Sequence, residues 1–396
     1  MIVCGGMADE KFYKSRRERT RSSSKRQSSS KPNHNKVSFK GRKYPSSYED
    51  LLVDSKMIDD IPKNEEEDHI NLPDKTIIMS KYKIVRIIGR GAFGKVFQAR
   101  DVSTNQEVAI KVIRKVKKYR NSAKYEIFVL NYLNMHHDVN NLSIELIDYF
   151  SYFDHACILF PKYGLSIYEL MKTNEFMPFH SRDCLEISHQ LCQGVNFLQM
   201  KQIIHTDLKP ENIIFVDSSF ETNYPSKYHL PRLNKSTIRI IDYGNSIFFN
   251  DRHGRIVCTR NYRPPEVILE LKWDEKIDVW SIGCIIFEIV TAITLFQVHN
   301  NTEHLAFIEC IIGKIPKKMI RRTNLQKYFD RDKYDWSLLS HKEREHVDEL
   351  VELDCYFNRK IEEEAILYRL VDKMLELDPE YRHRMNYFIQ EKLWCI

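Results

Sequence analysis

A change of hydrophobic pattern near Gly164 limits the folds open to this 396-residue chain. Before it, short apolar runs predict strands over residues 82–88, 95–100, 107–113, 143–150 and 155–160. They are interrupted by one predicted helix around residues 123–133. After it, helical periodicity covers residues 181–200, 276–292, 304–312 and 365–376. We therefore predict an α+β fold in which a cleft separates a small β-rich lobe from a larger helical lobe.

Charge is distributed unevenly along the chain. The net charge is +6, but residues 1–48 hold 13 Lys and Arg against 3 Asp and Glu, and residues 49–80 hold 3 against 10. The stretch 14–31 interleaves Ser with Arg and Lys and has no aliphatic or aromatic residue to bury. We predict a disordered basic tail at 1–48, an acidic linker at 49–80 and a folded domain at 81–396. The tail is either a solvated spacer or a nuclear-import, RNA-binding or phosphorylation segment.

Three further features restrict the class of protein. Nine cysteines without regular spacing favour reduced thiols over a disulfide framework. The longest apolar stretch, residues 281–296, is interrupted by Glu288, so we expect no membrane span. Coiled-coil heptads are not evident, and a monomer is expected.

A glycine-rich segment lies between the first two predicted strands. Its glycines would let backbone N–H groups approach phosphate oxygens closely. A strand follows it where a dinucleotide-binding fold would place a helix, which argues against that fold. A glycine pattern alone is a weak indication of a nucleotide site. The candidate nucleotide-binding residues here are Ile88, Gly89, Arg90, Gly91, Ala92, Phe93, Gly94, Lys95 and Val96.

Further motifs follow in a fixed order. Lys111 ends the strand motif Val-Ala-Ile-Lys, and an ammonium on a strand can hold phosphates if a carboxylate fixes it. Glu126 on the predicted helix is the candidate partner, and the alternative is a solvated glutamate on the helix surface. The later motifs are His205-Thr206-Asp207-Leu208-Lys209-Pro210-Glu211-Asn212, Asp242-Tyr243-Gly244, Arg263-Pro264-Pro265-Glu266 and Asp278-Val279-Trp280-Ser281-Ile282-Gly283.

Together these motifs resemble the protein-kinase signature set in order and spacing. Residues 259–269 resemble the CMGC group, and residues 303–313 resemble a degenerate form of the motif that names the LAMMER (CLK-type) kinases. The resemblance covers about residues 80–396. It implies a bilobal protein-kinase fold, with an N-lobe at about 81–163 and a C-lobe at about 164–396.

The same resemblance implies the function and the cofactors. It implies a kinase that uses ATP and Mg²⁺ to phosphorylate Ser and Thr, with Tyr as a further acceptor, on Ser/Arg-rich splicing factors. A nuclear, or nuclear and cytoplasmic, location follows from the tail and the resemblance. Two alternatives remain open: a pseudokinase scaffold, and an RNA- or splicing-factor-binding protein that acts through the tail.

Roles for individual residues also come from the resemblance. Asp207 should accept or orient the proton of the substrate hydroxyl, and Lys209 should stabilise charge on the γ-phosphate. Asn212 and Asp242 should hold Mg²⁺, which prefers oxygen ligands. Lys111, paired with the glutamate named above, should hold the α- and β-phosphates.

The adenine pocket is inferred in the same way. Phe160 aligns as the gatekeeper before a hinge that starts at Pro161, where this family usually has Glu. Proline keeps the carbonyl that the family uses there, and Tyr163 supplies the N–H. Further expected contacts are Val96, Ala109 and Ile214 around the adenine ring, and Ser166 and Glu169 toward the ribose.

Some residues depart from the usual kinase pattern. Tyr243 replaces Phe after the metal-binding Asp, so its hydroxyl needs a partner or solvent. Thr206 replaces an Arg that pairs with a loop phosphate in many kinases, so we expect activity without loop phosphorylation. Thr259 is expected to hydrogen-bond the catalytic loop, and Glu266 is expected to pair with Arg382.

Overall fold

The computed structural model describes residues 70–136, 138–221 and 229–394. The predicted basic tail and residues 49–69 of the predicted linker lie outside this part of the chain, so those predictions stand as made. Within the described residues, strands dominate before Gly164 and helices after it. The predicted α+β organisation is confirmed.

The N-terminal strands form an antiparallel sheet with the order β1-β2-β3-β4-β6-β5 among the described residues. Its strands are β1 (Ile77–Ile78), β2 (Tyr82–Gly91), β3 (Gly94–Asp101), β4 (Glu107–Ile113), β5 (Asp148–Tyr152) and β6 (His155–Pro161). One face of the sheet packs against helix α1 (Lys117–Asn134). Because successive side chains of a strand point to opposite faces, Ala109 and Ile113 of β4 join the core with α1, and Ile110 joins a separate cluster on the other face.

One predicted strand was partly wrong. Residues 143–150 were predicted as a strand, but β5 begins only at Asp148. Ser143 forms a parallel bridge with Ile240 in the C-terminal part of the chain. The side chain of Asn141 accepts a hydrogen bond from the backbone N–H of Ser143 at 3.2 Å, a local contact that competes with strand pairing.

The C-terminal part is mainly helical. Its helices are α2 (Ile167–Thr173), α3 (Ser181–Met200), α4 (Pro265–Ile268), α5 (Lys276–Thr291), α6 (Asn301–Ile311), α7 (Lys317–Arg322), α8 (His341–Asp348), α9 (Glu362–Met374) and α10 (Met385–Phe388). Short antiparallel pairs accompany them: β7 (Ile203–Ile204) with β10 (Ile247–Phe248), β8 (Ile213–Phe215) with β9 (Ile238–Ile240), and β11 (Phe329–Asp330) with β12 (Lys333–Tyr334).

Helix α5 is the centre of this part. It is apolar on most of its surface, and such a helix is stable in water only when other elements cover it. Helices α3 and α9 pack against it. No helix in the described stretches is both long and apolar enough to cross a membrane.

A buried ion pair joins the end of the chain to α4. Arg382 donates from Nη1 to Oε1 of Glu266 at 2.6 Å and from Nη2 to Oε2 at 3.0 Å. Both side chains are almost completely buried, and the guanidinium lies 5.0 Å from the ring centroid of Trp280. The expected partnership between these two residues is confirmed.

Candidate active site

The pairing of β8 with β9 brings two polar side chains to one end of the hairpin. Ile213 lies opposite Ile240, so Asn212 just before β8 is close to Asp242 just after β9. The N–H of Ile241 donates to the carbonyl of Asn212 at 2.9 Å. Asp242 has a left-handed backbone with φ of 66°, a conformation that Asp tolerates better than most residues.

Lys111 is the centre of a buried charge cluster. Its Nζ donates to the two carboxylate oxygens of Glu126 at 3.0 and 2.8 Å and to Oδ1 of Asp242 at 2.9 Å. The side chain of Glu126 is only 3% exposed, so it is not a solvated helix-surface residue. Burial alone would lower the pKa of Lys111, but the two carboxylates outweigh it and raise the pKa. The ammonium is therefore charged at neutral pH.

Asp207 is held by three hydrogen bonds. Its Oδ2 accepts from Nζ of Lys209 at 2.9 Å. Its Oδ1 accepts from the hydroxyl of Thr259 at 2.6 Å and from the backbone N–H of Thr259 at 3.1 Å. Lys209 also donates to the Thr259 hydroxyl at 2.9 Å. The expected contacts of Thr259 are present, and they fix the orientation of the Asp207 carboxylate.

The side chain of Asp278 holds the backbone of the loop that carries Asp207. This carboxylate accepts from the backbone N–H groups of His205 at 2.7 Å and Thr206 at 3.0 Å. Burial raises the pKa of Asp278 to about 6, although the two N–H donors and His205 act in the opposite direction. Sequence reasoning recognised the motif that begins at Asp278 but gave this residue no role. An aspartate in the first turn of a largely apolar helix is the signal that could have suggested one.

Asn212 and Asp242 offer oxygen atoms suited to Mg²⁺. Asn212 donates from Nδ2 to the carbonyl of Asp207 at 2.8 Å, and its amide oxygen points away from that bond. Mg²⁺ is usually held by one or two protein oxygens together with nucleotide phosphates. The described residues contain no group of three or more His, Cys, Asp or Glu suited to a metal ion. This donor set fits a cation that binds together with a nucleotide.

The glycine-rich segment forms the tight turn between β2 and β3. Arg90, Gly91 and Ala92 are exposed there, and Ile88 and Val96 are partly buried against the main core. The ring of Phe93 lies 5.3 Å from that of Tyr119 in α1. Lys95 donates from Nζ to the carbonyl of Ile70 at 3.0 Å. The two remaining residues of the predicted glycine-rich segment lie on the strands themselves, Gly89 in β2 and Gly94 in β3.

The residues expected around an adenine ring lie in one apolar cluster. Ala109 is the ladder partner of Phe160, and Val108 is the partner of Pro161 at the end of β6. Pro161 lacks an N–H, which is tolerated at this terminal position of a strand. The cluster contains Val96, Ala109, Phe160, Tyr163 and Ile214.

Ser166 and Glu169 have a structural role that the sequence reasoning did not consider. The N–H of Glu169 donates to the hydroxyl of Ser166 at 3.1 Å, and the N–H of Ser166 donates to the Glu169 carboxylate at 3.3 Å. This is a capping box at the start of α2. Ser166 is buried and Glu169 is exposed, and contact with a ribose stays a prediction for both.

Comparison with known proteins decides the family. Residues 82–394 match the protein kinase domain. The chain belongs to the protein kinase family. It is 42% identical over 322 residues to the human "Dual specificity protein kinase CLK2". That alignment covers 80% of this chain and 64% of the relative. It is 40% identical over 316 residues to the "Serine/threonine-protein kinase Doa" of Drosophila melanogaster, covering 77% and 38% respectively.

The kinase therefore spans less than two thirds of the length of these relatives.

A crystal structure of a kinase domain is also similar, with 32% identity and a TM-score of 0.76, covering 83% of this chain and all of that one. The fold is thus the bilobal kinase fold. The relatives place this kinase in the CLK-type (LAMMER) branch of the CMGC group, as its motifs predicted.

The hydroxyl of Tyr243 was expected to have a partner or to reach solvent, and the structure does not show this. Its ring is fully buried and lies 5.1 Å from that of His205 in an edge-to-face arrangement. The hydroxyl lies near Ser143 but, within the described part of the kinase, makes no hydrogen bond of normal geometry and does not reach solvent. The Tyr243 hydroxyl is thus buried without the partner that was expected for it among the described residues.

Thr206 links the catalytic loop to the segment that follows Asp242. Its hydroxyl donates to the carbonyl of Asn245 at 2.8 Å, and its carbonyl accepts from the N–H of Cys258 at 3.0 Å. Thr206 itself is buried. Both ends of this segment are therefore joined to the catalytic loop by neutral hydrogen bonds, without the Arg–phosphate pair of many kinases.

Gly94→Ala should destabilise the N-terminal sheet by about 1–3 kcal/mol and raise the KM for ATP. Gly94 has φ of +156°, and a Cβ there would overlap the carbonyl oxygen of Val112. Gly91→Ala is the matched control for stability, because a Cβ at Gly91 meets no atom within 4 Å. Chemical denaturation of both variants measures the stability, and ATP titration of Gly94→Ala measures the KM. Equal stability of the two variants would contradict this interpretation of the turn.

Proposed function

We propose that this kinase transfers the γ-phosphate of ATP, with Mg²⁺, to Ser and Thr of Ser/Arg-rich proteins, with Tyr as a further acceptor. The observation that carries the proposal is the fixed carboxylate of Asp207, whose carbonyl is bonded by Asn212, with Asp242 close to Asn212 across the β8–β9 pair. In phosphoryl transfer a protein mainly positions groups and neutralises charge, and these residues supply both.

Each residue has a defined part in the transfer. The substrate hydroxyl oxygen forms a bond to the γ-phosphorus, the bond from that phosphorus to the β-bridging oxygen breaks, and ADP leaves. Asp207 orients the hydroxyl and takes its proton. Lys209, 2.9 Å from Asp207, places a positive charge beside the transferred group. Lys111 holds the α- and β-phosphates, and Asn212 and Asp242 would hold Mg²⁺, which neutralises phosphate charge when bound.

Exposed negative charge on the catalytic loop supports a preference for substrates that contain Arg. Glu211 is exposed on the catalytic loop. Glu288 is buried in α5 and accepts from the hydroxyls of Tyr262 at 2.7 Å and Thr294 at 3.1 Å. Burial chiefly raises the pKa of Glu288, and repulsion from Glu211 adds to it. A substrate guanidinium that binds the exposed Glu211 would form charge-assisted hydrogen bonds with it and would lower that repulsion.

This substrate preference can be tested with paired peptides. An Arg-Ser repeat peptide and the same peptide with Gln in place of Arg are phosphorylated with labelled ATP, and kcat/KM is measured. We expect the Arg-Ser peptide to be preferred, and Glu211→Gln to reduce that preference about tenfold, which corresponds to the loss of roughly 1.4 kcal/mol. Glu345→Gln, on the exposed surface of α8, is the matched control. Equal rates on the two peptides would rule out the preference but leave the kinase activity standing.

The location and the other partners belong to the same proposal. If Ser/Arg-rich splicing factors are the substrates, the kinase must be present in the nucleus, or in the nucleus and the cytoplasm. We further propose that it acts as a monomer. RNA contact through residues 1–48 can coexist with catalysis. Deleting 1–48 separates the two functions. The catalytic function predicts that the shortened protein phosphorylates peptides at the wild-type rate. A function of the tail predicts that the same deletion removes association with RNA or with splicing factors.

A further inference from the structure

A serine on α1 contacts the segment that begins at Asp242. The hydroxyl of Ser122 donates to the carbonyl of Gly244 at 2.9 Å. The approach is close, because a Cβ at Gly244 would lie only 2.5 Å from the Oγ of Ser122. A serine inside a helix usually turns its hydroxyl to solvent or to a carbonyl of its own preceding turn. Here the hydroxyl instead joins α1 to the C-terminal part of the chain.

This hydrogen bond lies one helical turn from the charged pair of the same helix. Glu126 follows Ser122 by four residues, so the two side chains are neighbours on α1. Glu126 binds Lys111, and Lys111 donates to Oδ1 of Asp242 at 2.9 Å. Two links therefore join α1 to the Asp-Tyr-Gly motif. One reaches its aspartate through charged groups, and the other is a neutral hydrogen bond to its glycine.

The same side of α1 also packs against the residues that follow the motif. The rings of Phe128 and Tyr132 lie 6.1 and 5.7 Å from the ring of Phe248. Residues 122, 125, 128 and 132 are three or four positions apart, so they form one stripe along the helix. This stripe contacts residues 244–251, and Ser122 makes its contact closest in sequence to the metal-binding aspartate.

The segment held by this stripe leads back to the catalytic loop. The hydroxyl of Tyr125 donates to Oδ2 of Asp251 at 3.3 Å, and the same oxygen accepts from the N–H of Phe248 at 2.8 Å. Phe248 is the ladder partner of Ile203 in β7, and β7 is followed directly by His205. The position of α1 is therefore coupled to the metal-binding motif and to the catalytic loop.

The sequence offers little opportunity for a phosphate to hold this segment. Residues 245–258 contain one Ser, no Thr and no Tyr. That residue, Ser246, is buried, and its hydroxyl donates to the carbonyl of Tyr243 at 2.7 Å. Thr206 lacks the positive charge with which an arginine would pair with a phosphate. Contacts of the unmodified protein must then keep the segment in place.

We propose that Ser122 is a positioning residue for Asp242. Its hydroxyl holds the carbonyl of Gly244 to α1 and so keeps the Asp242 carboxylate where it can hold Mg²⁺ without a phosphate on the following segment. This inference rests on the proposed function, because it concerns a residue that supports the same transfer.

The test compares three substitutions of Ser122. We expect Ser122→Ala to lower kcat on an Arg-Ser peptide about fivefold, which corresponds to about 1 kcal/mol, the usual contribution of one such hydrogen bond. The Mg²⁺ concentration for half-maximal transfer should rise, and the KM for the peptide should not change. Ser122→Asp should lower kcat further, because its carboxylate repels the Gly244 carbonyl and Glu126. Ser122→Thr keeps a hydroxyl and should restore kcat.

The matched control is Asn121→Ala, which changes an exposed residue on the same turn of α1. This variant should have the wild-type kcat and Mg²⁺ dependence. The free energy of unfolding should change little in Ser122→Ala, because alanine favours a helix more than serine does. A lower kcat at nearly unchanged stability separates lost positioning from general destabilisation.

Hydrogen–deuterium exchange without nucleotide gives a readout that does not depend on catalysis. The amides of residues 244–251 should exchange faster in Ser122→Ala than in the wild type and in Asn121→Ala, whereas those of α5 should exchange at the wild-type rate. Wild-type kcat and exchange in Ser122→Ala would overturn the inference, and so would an equal loss of kcat in Ser122→Thr. If the wild type phosphorylates no peptide, the proposed function fails, but the exchange rates still decide whether Ser122 holds this segment.

Discussion

Asp207→Asn is expected to lower kcat by about 10²–10⁴-fold, the usual contribution of a positioned general base. Asparagine has nearly the same shape, but Lys209 and Thr259 donate to different oxygens of Asp207, so the one oxygen of Asn keeps the hydrogen bonds of only one of these partners. It cannot take the proton of the substrate hydroxyl. ATP affinity should change little, because Asp207 is not among the residues expected to contact the nucleotide. Single-turnover transfer to an Arg-Ser peptide measures the chemical step, and ATP titration measures binding.

The matched control for this variant is Asp217→Asn. Asp217 lies after the catalytic loop in the same lobe as Asp207, and it caps a turn by accepting from the N–H of Ser219 at 3.0 Å. This variant should transfer phosphate at the wild-type rate. If Asp207→Asn kept a rate close to that of Asp217→Asn, the assignment of Asp207 as the base would be wrong.

Arg382→Ala is expected to lower the free energy of unfolding by about 3–5 kcal/mol. The substitution leaves the carboxylate of Glu266 without its two guanidinium hydrogen bonds in a position that is almost fully buried. It also removes the contact with the ring of Trp280. Unfolding in urea, followed by tryptophan fluorescence and by circular dichroism, measures the loss.

Two further variants separate this effect from the mere loss of an arginine. Arg322→Ala removes an arginine whose ion pair with Glu380 is exposed, and exposed pairs contribute little, so no measurable change is expected. Combining Glu266→Gln with Arg382→Met removes both buried charges and should recover part of the stability lost in Arg382→Ala. Equal stability of Arg382→Ala and Arg322→Ala would contradict the role given to the buried pair.

Much of the site could be predicted because short-range rules fix it. The alternation of β4 places Lys111 on the same face as Ala109, which is the face that α1 covers. A glutamate on the inner side of that helix is then the natural partner, and Glu126 occupies this position. Likewise, the spacing between Asn212 and Asp242 spans one hairpin, so both meet at its end.

Other features depend on contacts between distant parts of the chain. The strand predicted at 143–150 has suitable residues, but pairing of Ser143 with Ile240 competes with the sheet, and no local pattern signals that pairing. Ser166 and Glu169 show a capping-box spacing that local rules could have identified, although the family resemblance drew attention to the ribose instead.

The most direct test of the account is phosphate transfer by the purified wild-type chain. Labelled ATP, Mg²⁺ and an Arg-Ser repeat peptide are incubated with the protein, with a chelator of divalent cations in a parallel reaction. Transfer to the peptide should require Mg²⁺ and should be strongly reduced in Asp207→Asn. ATP binding without transfer to any peptide would contradict it and would favour a kinase fold that acts as a binding scaffold.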